Sequence, residues 1–488
     1  MILAPGDFAS LMPVLLPSAG GLWILLQIAI LKRRTLRLCA AQTMVILGVS
    51  AAGAGLLLDR GFRRELMDGA LLIDPQALVF HLVFVVVAAL TVLVSVVHLE
   101  AAGAAHGEFY ALILFALSGM TMMAASENLL TLFLGLEILS IPLYILAGFT
   151  RDRIYSIEAA LKYFLLGAFS TGFVLYGIAL LYGSTGHVDL PGIREALSAA
   201  RDSRPDPLLL SGGALLLVGL AFKVAAVPFH FWAPDVYQGS TAPVAGFMAA
   251  GTKAAAFAAL FRIVSVALSE PPVKEIWIDV VSVISVLTMV LGNLTALGQQ
   301  NIKRMLAYSS IANAGYLLVA LAAGGRRDGG PGPLLFYLVV YVFMTIGAFA
   351  VAAIVGRDGE GDQGFALAAY AGLGRRRPVL AAAMTLFMLS LTGIPPAGGF
   401  MAKFYIFREA VDAGLVPLAV VGLLTSVVGA FYYLRVVVQM YFRDPIQESA
   451  PPASLAATDA LALALASIAI LVIGLFPGGL LNLTRLGA

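Results

Sequence analysis

Leu217-Val-Gly-Leu-Ala-Phe-Lys223-Val-Ala-Ala-Val-Pro228-Phe-His230-Phe-Trp-Ala-Pro234 is the stretch that decides the class of this chain. It is an apolar run with one full charge inside it and a proline five residues later. Extended back to Leu208, it is long enough for the bilayer core, which needs about 20 mostly apolar residues. Proline removes a backbone donor and clashes with the preceding turn, so the helix must break near Pro228. In lipid the freed polar groups must be met by protein or by water, which places such a break beside a cavity. One kink is commonly tolerated by packing alone. A second interruption, Gly393-Ile-Pro395-Pro396-Ala-Gly398-Gly399-Phe, changes the reading, because paired broken helices in two halves of a chain point to a transporter's ion site.

The rest of the chain agrees. Hydrophobic residues make up 60% of it and charged residues only 12%, against roughly 25% charged in a soluble domain. Such a chain cannot hide its apolar surface from water, so its solvent is lipid. A net charge of +2 gives no reason to expect nucleic acid as a partner. The lone cysteine, Cys39, lies in an apolar run and can form no intrachain disulfide. Met1 to Ser10 carries no basic residue, so the first apolar run reads as a retained helix rather than a cleaved leader.

Fourteen spans are expected, at roughly 8–31, 36–58, 74–98, 109–126, 128–149, 157–182, 208–232, 243–268, 276–298, 302–323, 333–355, 378–413, 416–441 and 457–480. The longest polar stretches, Asp189–Pro207 and Arg357–Arg377, are too short for a soluble domain, and Ile193–Ala200 suits a short helix at the interface. No strand alternation is visible, so the expected class is all-α integral membrane. Loops holding Lys32, Arg33, Arg34 and Arg37, then Arg151 and Arg153, Lys303 and Arg304, and Arg375, Arg376 and Arg377 share one side. By the positive-inside rule that side is cytoplasmic, although Arg60, Arg63, Arg64, Arg194, Arg201 and Arg204 fall opposite. Both termini are then outside, on the periplasmic face of a bacterial inner membrane.

An internal repeat is faintly legible. Gly119 and Asn128 recur as Gly292 and Asn301, and Arg262 recurs as Arg435, at one common shift; Pro243 falls within one residue of Pro417. The implied division is an N-terminal unit 1–105 (helices 1–3), a first five-helix repeat 106–270 (helices 4–8), a second repeat 271–445 (helices 9–13) and a C-terminal helix in 446–488. Five is odd, so the second copy enters the membrane from the opposite side and the repeats are inverted.

The chemistry rests on charge in the wrong solvent. The chain has seven lysines against 23 arginines, yet Lys162, Lys223, Lys253 and Lys403 all fall within apolar spans. A charge at mid-membrane costs about 2.5–3.5 kcal/mol, so four would cost on the order of 10 kcal/mol, comparable with a protein's net stability. Packing supplies no reason to keep them. Arginine stays protonated inside proteins, whereas lysine gives up its proton readily when desolvated, which a relay requires. Glu137, in Leu136-Glu137-Ile-Leu-Ser140-Ile-Pro, is the acid that could tune Lys223; the alternative is a purely structural ion pair. His230 could pass protons onward, or simply satisfy an interhelical hydrogen bond. Arg262 and Arg435 read as fixed structural charges. There is no Gly-rich phosphate loop, no cysteine cluster and no haem-spaced histidine pair, so the sequence offers no place for a redox cofactor.

Four stretches then carry a family resemblance: Glu137-Ile-Leu-Ser-Ile-Pro-Leu-Tyr; Ala-Phe-Lys223-Val-Ala-Ala-Val-Pro-Phe-His-Phe-Trp-Ala-Pro-Asp-Val-Tyr; Asn301-Ile-Lys-Arg-Met-Leu-Ala-Tyr-Ser-Ser-Ile-Ala-Asn-Ala-Gly-Tyr; and Gly-Ile-Pro-Pro-Ala-Gly-Gly-Phe-Met-Ala-Lys403-Phe-Tyr. They resemble the antiporter-like membrane subunits of NADH–quinone oxidoreductase, respiratory complex I, and a lysine at Lys403 fits the subunit N branch. The resemblance implies two inverted repeats with broken helices 7 and 12, and a proton relay in which Glu137 and Lys223 form the first half-channel's pair. Lys162, His230 and Lys253 are relay positions, and Lys403 serves the second half-channel. It also implies partners: neighbouring membrane subunits, and a hydrophilic arm carrying FMN and iron–sulfur clusters that oxidises NADH and reduces quinone. A cation/proton antiporter subunit, a membrane-bound hydrogenase subunit and a structural membrane subunit are the rival readings.

Overall fold

The computed structural model describes residues 5–31, 36–200, 205–327, 330–357, 363–445 and 455–486. Lys32, Arg33, Arg34, Arg201 and Arg204, used above for orientation, lie outside the described residues. In chain order the α-helices are α1 (Pro5–Leu31), α2 (Leu36–Asp59), α3 (Pro75–Ala101), α4 (Glu108–Ala125), α5 (Leu129–Ala147), α6 (Ile154–Thr185), α7 (Leu190–Ala199), α8 (Pro207–Val224), α9 (Trp232–Gly239) and α10 (Ala242–Phe247). They continue as α11 (Lys253–Arg262), α12 (Val273–Leu297), α13 (Ile302–Arg327), α14 (Gly332–Gly356), α15 (Leu373–Arg376), α16 (Pro378–Thr392), α17 (Gly398–Asp412), α18 (Val416–Phe442), α19 (Ala457–Leu475) and α20 (Gly478–Leu486). Two π-helical turns, Met248–Thr252 and Ile263–Ala267, join α10, α11 and the following turn into one crossing.

Among the described residues, thirteen helical stretches are long and apolar enough to cross a membrane. The remaining expected span, 378–413, is two pieces instead of one helix, because the backbone leaves the helix between Thr392 and Gly398; α16 alone is only 15 residues long. Span seven likewise stops early, at Val224.

The molecule also carries one element that the sequence reading excluded. Arg64–Leu66 (β1) and Leu71–Ile73 (β2) form a small antiparallel hairpin with Arg64 opposite Ile73. Strands of three residues are too short to show alternation, which is why none was legible. The hairpin delivers the chain to Asp74, whose carboxylate caps α3 by accepting from the Ala77 N–H at 2.8 Å.

Helices α3, α13, α14 and the crossing Ala242–Ala267 are almost wholly buried and form the centre. Helices α1, α2, α6 and α19 ring them and turn large apolar side chains outward, Phe169 and Phe173 among them. An apolar exterior around a polar-containing interior is the arrangement lipid selects. Two glycines, at matching places in the proposed repeats, allow close helix contacts. A Cβ at Gly119 would lie 2.4 Å from the Leu139 amide nitrogen in α5, and one at Gly292 would lie 2.7 Å from that of Ala312 in α13.

Candidate functional site

Lys223 sits in the last turn of α8, one residue before the break. Its ammonium is buried and donates to Ser140 Oγ at 2.8 Å and more weakly to Tyr163 Oη at 3.4 Å. Tyr163 is stacked on Trp232, the first residue beyond the break, with ring centroids 4.5 Å apart. Trp232 in turn donates its indole N–H to the Phe222 carbonyl at 2.9 Å. The interruption is thus bridged by protein: Ala225 takes the left-handed conformation at φ 58°, and the Val227 N–H donates to Thr288 Oγ1 at 3.0 Å.

Glu137 and Lys223 are on neighbouring helices but are not within ion-pair distance. Glu137 Oε1 is buried without a hydrogen-bond partner among the described residues, while its charge still bears on Lys223. His230 lies inside the break, 3% exposed, with its ring against Phe231 and Nδ1 likewise without a partner.

Lys162 is placed differently from the other lysines. The sequence reading counts it among the lysines of apolar spans but, following Glu158-Ala-Ala-Leu, nearer a helix end; its side chain is 40% exposed and its ammonium is held by Glu158 at 2.7 Å and Asp235 at 2.8 Å. Asp235 also receives Arg304 at 2.6 Å, so Lys162 and Arg304 pin the half-helix α9 from two sides. Lys303 completes the tether by donating to the carbonyls of Gln238 and Ser240 at the end of α9.

Lys253 directly follows the first π-helical turn, the kind of local widening that recurs at functional sites. Its ammonium is 1% exposed and donates to the Ser310 carbonyl of α13. Tyr341 donates to Ser310 Oγ at 2.9 Å. From there α13 carries a polar stripe: Ser309, Asn313 and Tyr316 recur at i, i+4 and i+7, one face of a helix. Tyr337 donates to Asn313 Oδ1, Asn313 donates to the Ser309 carbonyl at 2.8 Å, and Ser309 shares a hydrogen bond with Tyr433 at 2.5 Å. Asn293 donates to Tyr316 Oη at 3.2 Å and accepts from Tyr432 at 3.0 Å.

The stripe ends at Lys403, whose ammonium lies 4.9 Å from the Tyr316 ring centroid. Lys403 stands on α17 and reaches back across the second break to the Leu391 and Thr392 carbonyls, both at 3.0 Å. Those carbonyls end α16, where a helix lacks internal donors and its dipole is negative. The broken helix therefore supplies the lysine's counter-field without a carboxylate. Gly399 permits the approach of the two halves: a Cβ there would lie 1.8 Å from the Ser390 carbonyl oxygen.

Three buried lysines, a separated acid and a ladder of hydroxyls and amides can accept, hold and hand on protons. The sequence reading missed the ladder. Ser140, Tyr163, Ser310, Asn313 and Tyr316 are ordinary helix residues in isolation, and only the i, i+4, i+7 spacing within Asn301–Tyr316 could have found part of it. A second buried charge cluster stands apart from this line. Arg262 binds Asp74 through both carboxylate oxygens at 2.8 and 3.0 Å, and Glu127 lies 3.5 Å away. Burial holds the Glu127 carboxyl above its ordinary range, with Arg262 opposing.

A bundle of this kind, with lysines at two broken helices, defines the class of ion-translocating membrane subunits. Residues 126–429 match the family model described as NADH:quinone oxidoreductase/Mrp antiporter, TM. NADH-quinone oxidoreductase subunit N of Trichlorobacter lovleyi is 46% identical over 90% of this chain and 89% of its own length. Subunit N 1 of Solibacter usitatus is 42% identical over 98% and 96%. Among solved structures, a chain of respiratory complex I from Thermus thermophilus superposes with a TM-score of 0.80 at 37% identity, covering 96% of this chain and 98% of that one. A chain of the Mrp complex from Dietzia shares the fold, with a TM-score of 0.86 at 21% identity. The chain belongs to the NADH-quinone oxidoreductase subunit N family.

Proposed function

We propose that this chain is a proton-translocating membrane subunit of an NADH–quinone oxidoreductase, and that electron transfer in partner subunits drives protons through it. The single observation that carries this reading is the line of buried lysines, Lys223, Lys253 and Lys403, the latter two linked by the polar stripe of α13. Glu137 and Lys223 form the switching pair: the acid stabilises the ammonium when close and releases that hold when apart. Protons pass by His230 and Lys253 towards Lys403, while Lys162 and its carboxylates couple the line to α9. Moving one charge against 100 mV costs about 2.3 kcal/mol, a scale that one gained or lost charged hydrogen bond of about 1.5–3 kcal/mol can meet.

The division at 106–270 and 271–445 into inverted repeats belongs to the same proposal. Its support is paired geometry: Asn128 caps α5 and Asn301 caps α13 with their side-chain oxygens. The Leu190 N–H donates to the Glu127 carbonyl and the Leu367 N–H to the Gln300 carbonyl, each at 2.8 Å. We place the chain in a bacterial inner membrane with its Lys/Arg-rich loops cytoplasmic and both ends periplasmic. NADH, FMN, iron–sulfur clusters and quinone are assigned to the hydrophilic arm and neighbouring subunits.

Affinity purification of the tagged chain from native membranes tests the proposal. Iron–sulfur and flavin-bearing subunits and NADH–quinone activity should co-purify. Recovery of the chain alone, active in cation–proton exchange without any redox partner, would overturn it.

A further inference from the structure

Tyr237 is a buried titratable group that the lysine line leaves unused. It stands on α9, the half-helix beyond the first break, and is fully buried. Its ring meets Trp232 edge-on, with centroids 5.9 Å apart, and Phe349 of α14 at 6.3 Å. Trp232 is the residue stacked on Tyr163, which receives Lys223, and Tyr163 and Tyr237 are near enough to interact electrostatically. On its other side the Tyr237 hydroxyl is close to Ser310 and Tyr341. Ser310 is the residue whose carbonyl holds Lys253 and whose Oγ accepts from Tyr341 at 2.9 Å. Yet Tyr237 Oη closes no hydrogen bond among the described residues. Neither does Thr345 Oγ1, one turn beyond Tyr341 on α14 and 4% exposed.

A phenylalanine would fill the same space and make the same ring contacts. Burying a hydroxyl without a partner costs free energy, so packing gives no reason for a tyrosine here. A phenol hydroxyl donates and accepts at once. It therefore passes a proton without leaving a charge in a medium where charge is expensive. We propose that Tyr237 carries the proton from the Lys223 side to Lys253. The Lys223 ammonium gives up its proton through the Tyr163 hydroxyl and becomes a neutral amine. The free lone pair of Tyr237 Oη takes the incoming proton as the existing O–H proton leaves towards Ser310 Oγ. The Ser310 proton moves on to neutral Lys253, which becomes the ammonium. Each hydroxyl breaks one O–H bond and forms one, and rotation resets it. Asp235, two residues earlier on α9, is held by Lys162 and Arg304, so the tether of the half-helix also positions this hydroxyl. The inference rests on the proton-translocation reading and supplies the step between its first two buried lysines.

The test uses the assembled complex in inside-out membrane vesicles, with NADH-driven proton uptake and electron transfer measured together. Tyr237→Phe keeps the ring and its contacts and removes only the hydroxyl. Coupled turnover is expected to fall by about tenfold or more, with assembly as in wild type. Wild-type turnover and wild-type protons per electron pair in the assembled variant would overturn the assignment. A second protein carries difluorotyrosine at position 237, where the hydroxyl is retained but more acidic. A proton carrier shifts the pH dependence of turnover on that change and a packing residue does not. An unchanged pH profile therefore overturns the assignment as well, whether or not the phenylalanine variant assembles. Lys223→Ala in the same vesicles separates two levels of failure. Normal pumping there removes the translocation reading and this inference with it. Lost pumping there, beside normal pumping in Tyr237→Phe, removes Tyr237 alone.

Discussion

Lys223 donates to Ser140 at 2.8 Å, and Ser140 stands three residues after Glu137 on α5, one helical turn away on the same face. The lysine is thus held by the acid's neighbour rather than by the acid. Glu137 Oε1 remains without a partner nearby. In the proposed switch, the lysine side chain would exchange Ser140 for Glu137 by moving along α5.

Replacing Ser140 with alanine removes the closest acceptor of the separated state. A hydrogen bond to a charged group contributes about 1.5–3 kcal/mol, and about 1.4 kcal/mol corresponds to tenfold in rate. Proton-coupled NADH–quinone turnover should fall by tenfold or more in Ser140→Ala and recover in Ser140→Thr. Unchanged turnover in the alanine variant, in complexes verified as assembled, would remove Ser140 from the account.

Gly399→Ala should prevent the second broken helix from closing. Its Cβ would meet the backbone oxygen of Ser390, which cannot rotate away. The expected result is loss of the assembled complex on native gels. Gly172→Ala, on the outer helix α6 where a Cβ meets nothing within 4 Å, should leave the complex at normal abundance.

The Arg262 cluster makes a stability prediction. Removing one member of a buried pair costs about 3–5 kcal/mol, so Arg262→Ala should sharply lower the melting temperature of the purified complex. Arg262 holds Asp74 through Nη2 and faces Glu127 through Nη1; lysine has one nitrogen and should not restore the loss. Glu127 adds a pH dependence. Its carboxyl is held above its ordinary value of 4.5 by burial, so the folded state favours the protonated form. That contribution is complete below the ordinary value and is lost as pH rises through the raised one. Glu127→Gln should flatten this part of the melting-temperature profile; an identical profile would show that Glu127 does not contribute.

The sequence and the structure part company in an instructive way. Lys223, Lys253 and Lys403 were legible because a full charge in an apolar run has no cheap explanation, and the breaks were legible because proline and glycine act on the local backbone. The hydroxyl ladder was not: Ser310 and Tyr316 are unremarkable until the fold sets them against Lys253 and Lys403. The position of Lys162 also depends on tertiary structure. Asp235 is distant in sequence and becomes its partner only when α9 folds back. The hairpin at Arg64–Ile73 escaped for a simpler reason, since pairs of three-residue strands leave no periodic trace.

The most direct measurement is NADH-driven proton uptake by inside-out membrane vesicles, normalised to electrons transferred, in Lys223→Ala and Lys403→Ala complexes of verified assembly. The account predicts that both substitutions abolish coupled turnover or lower the protons moved per electron pair. A wild-type ratio at wild-type rate in both variants would contradict it.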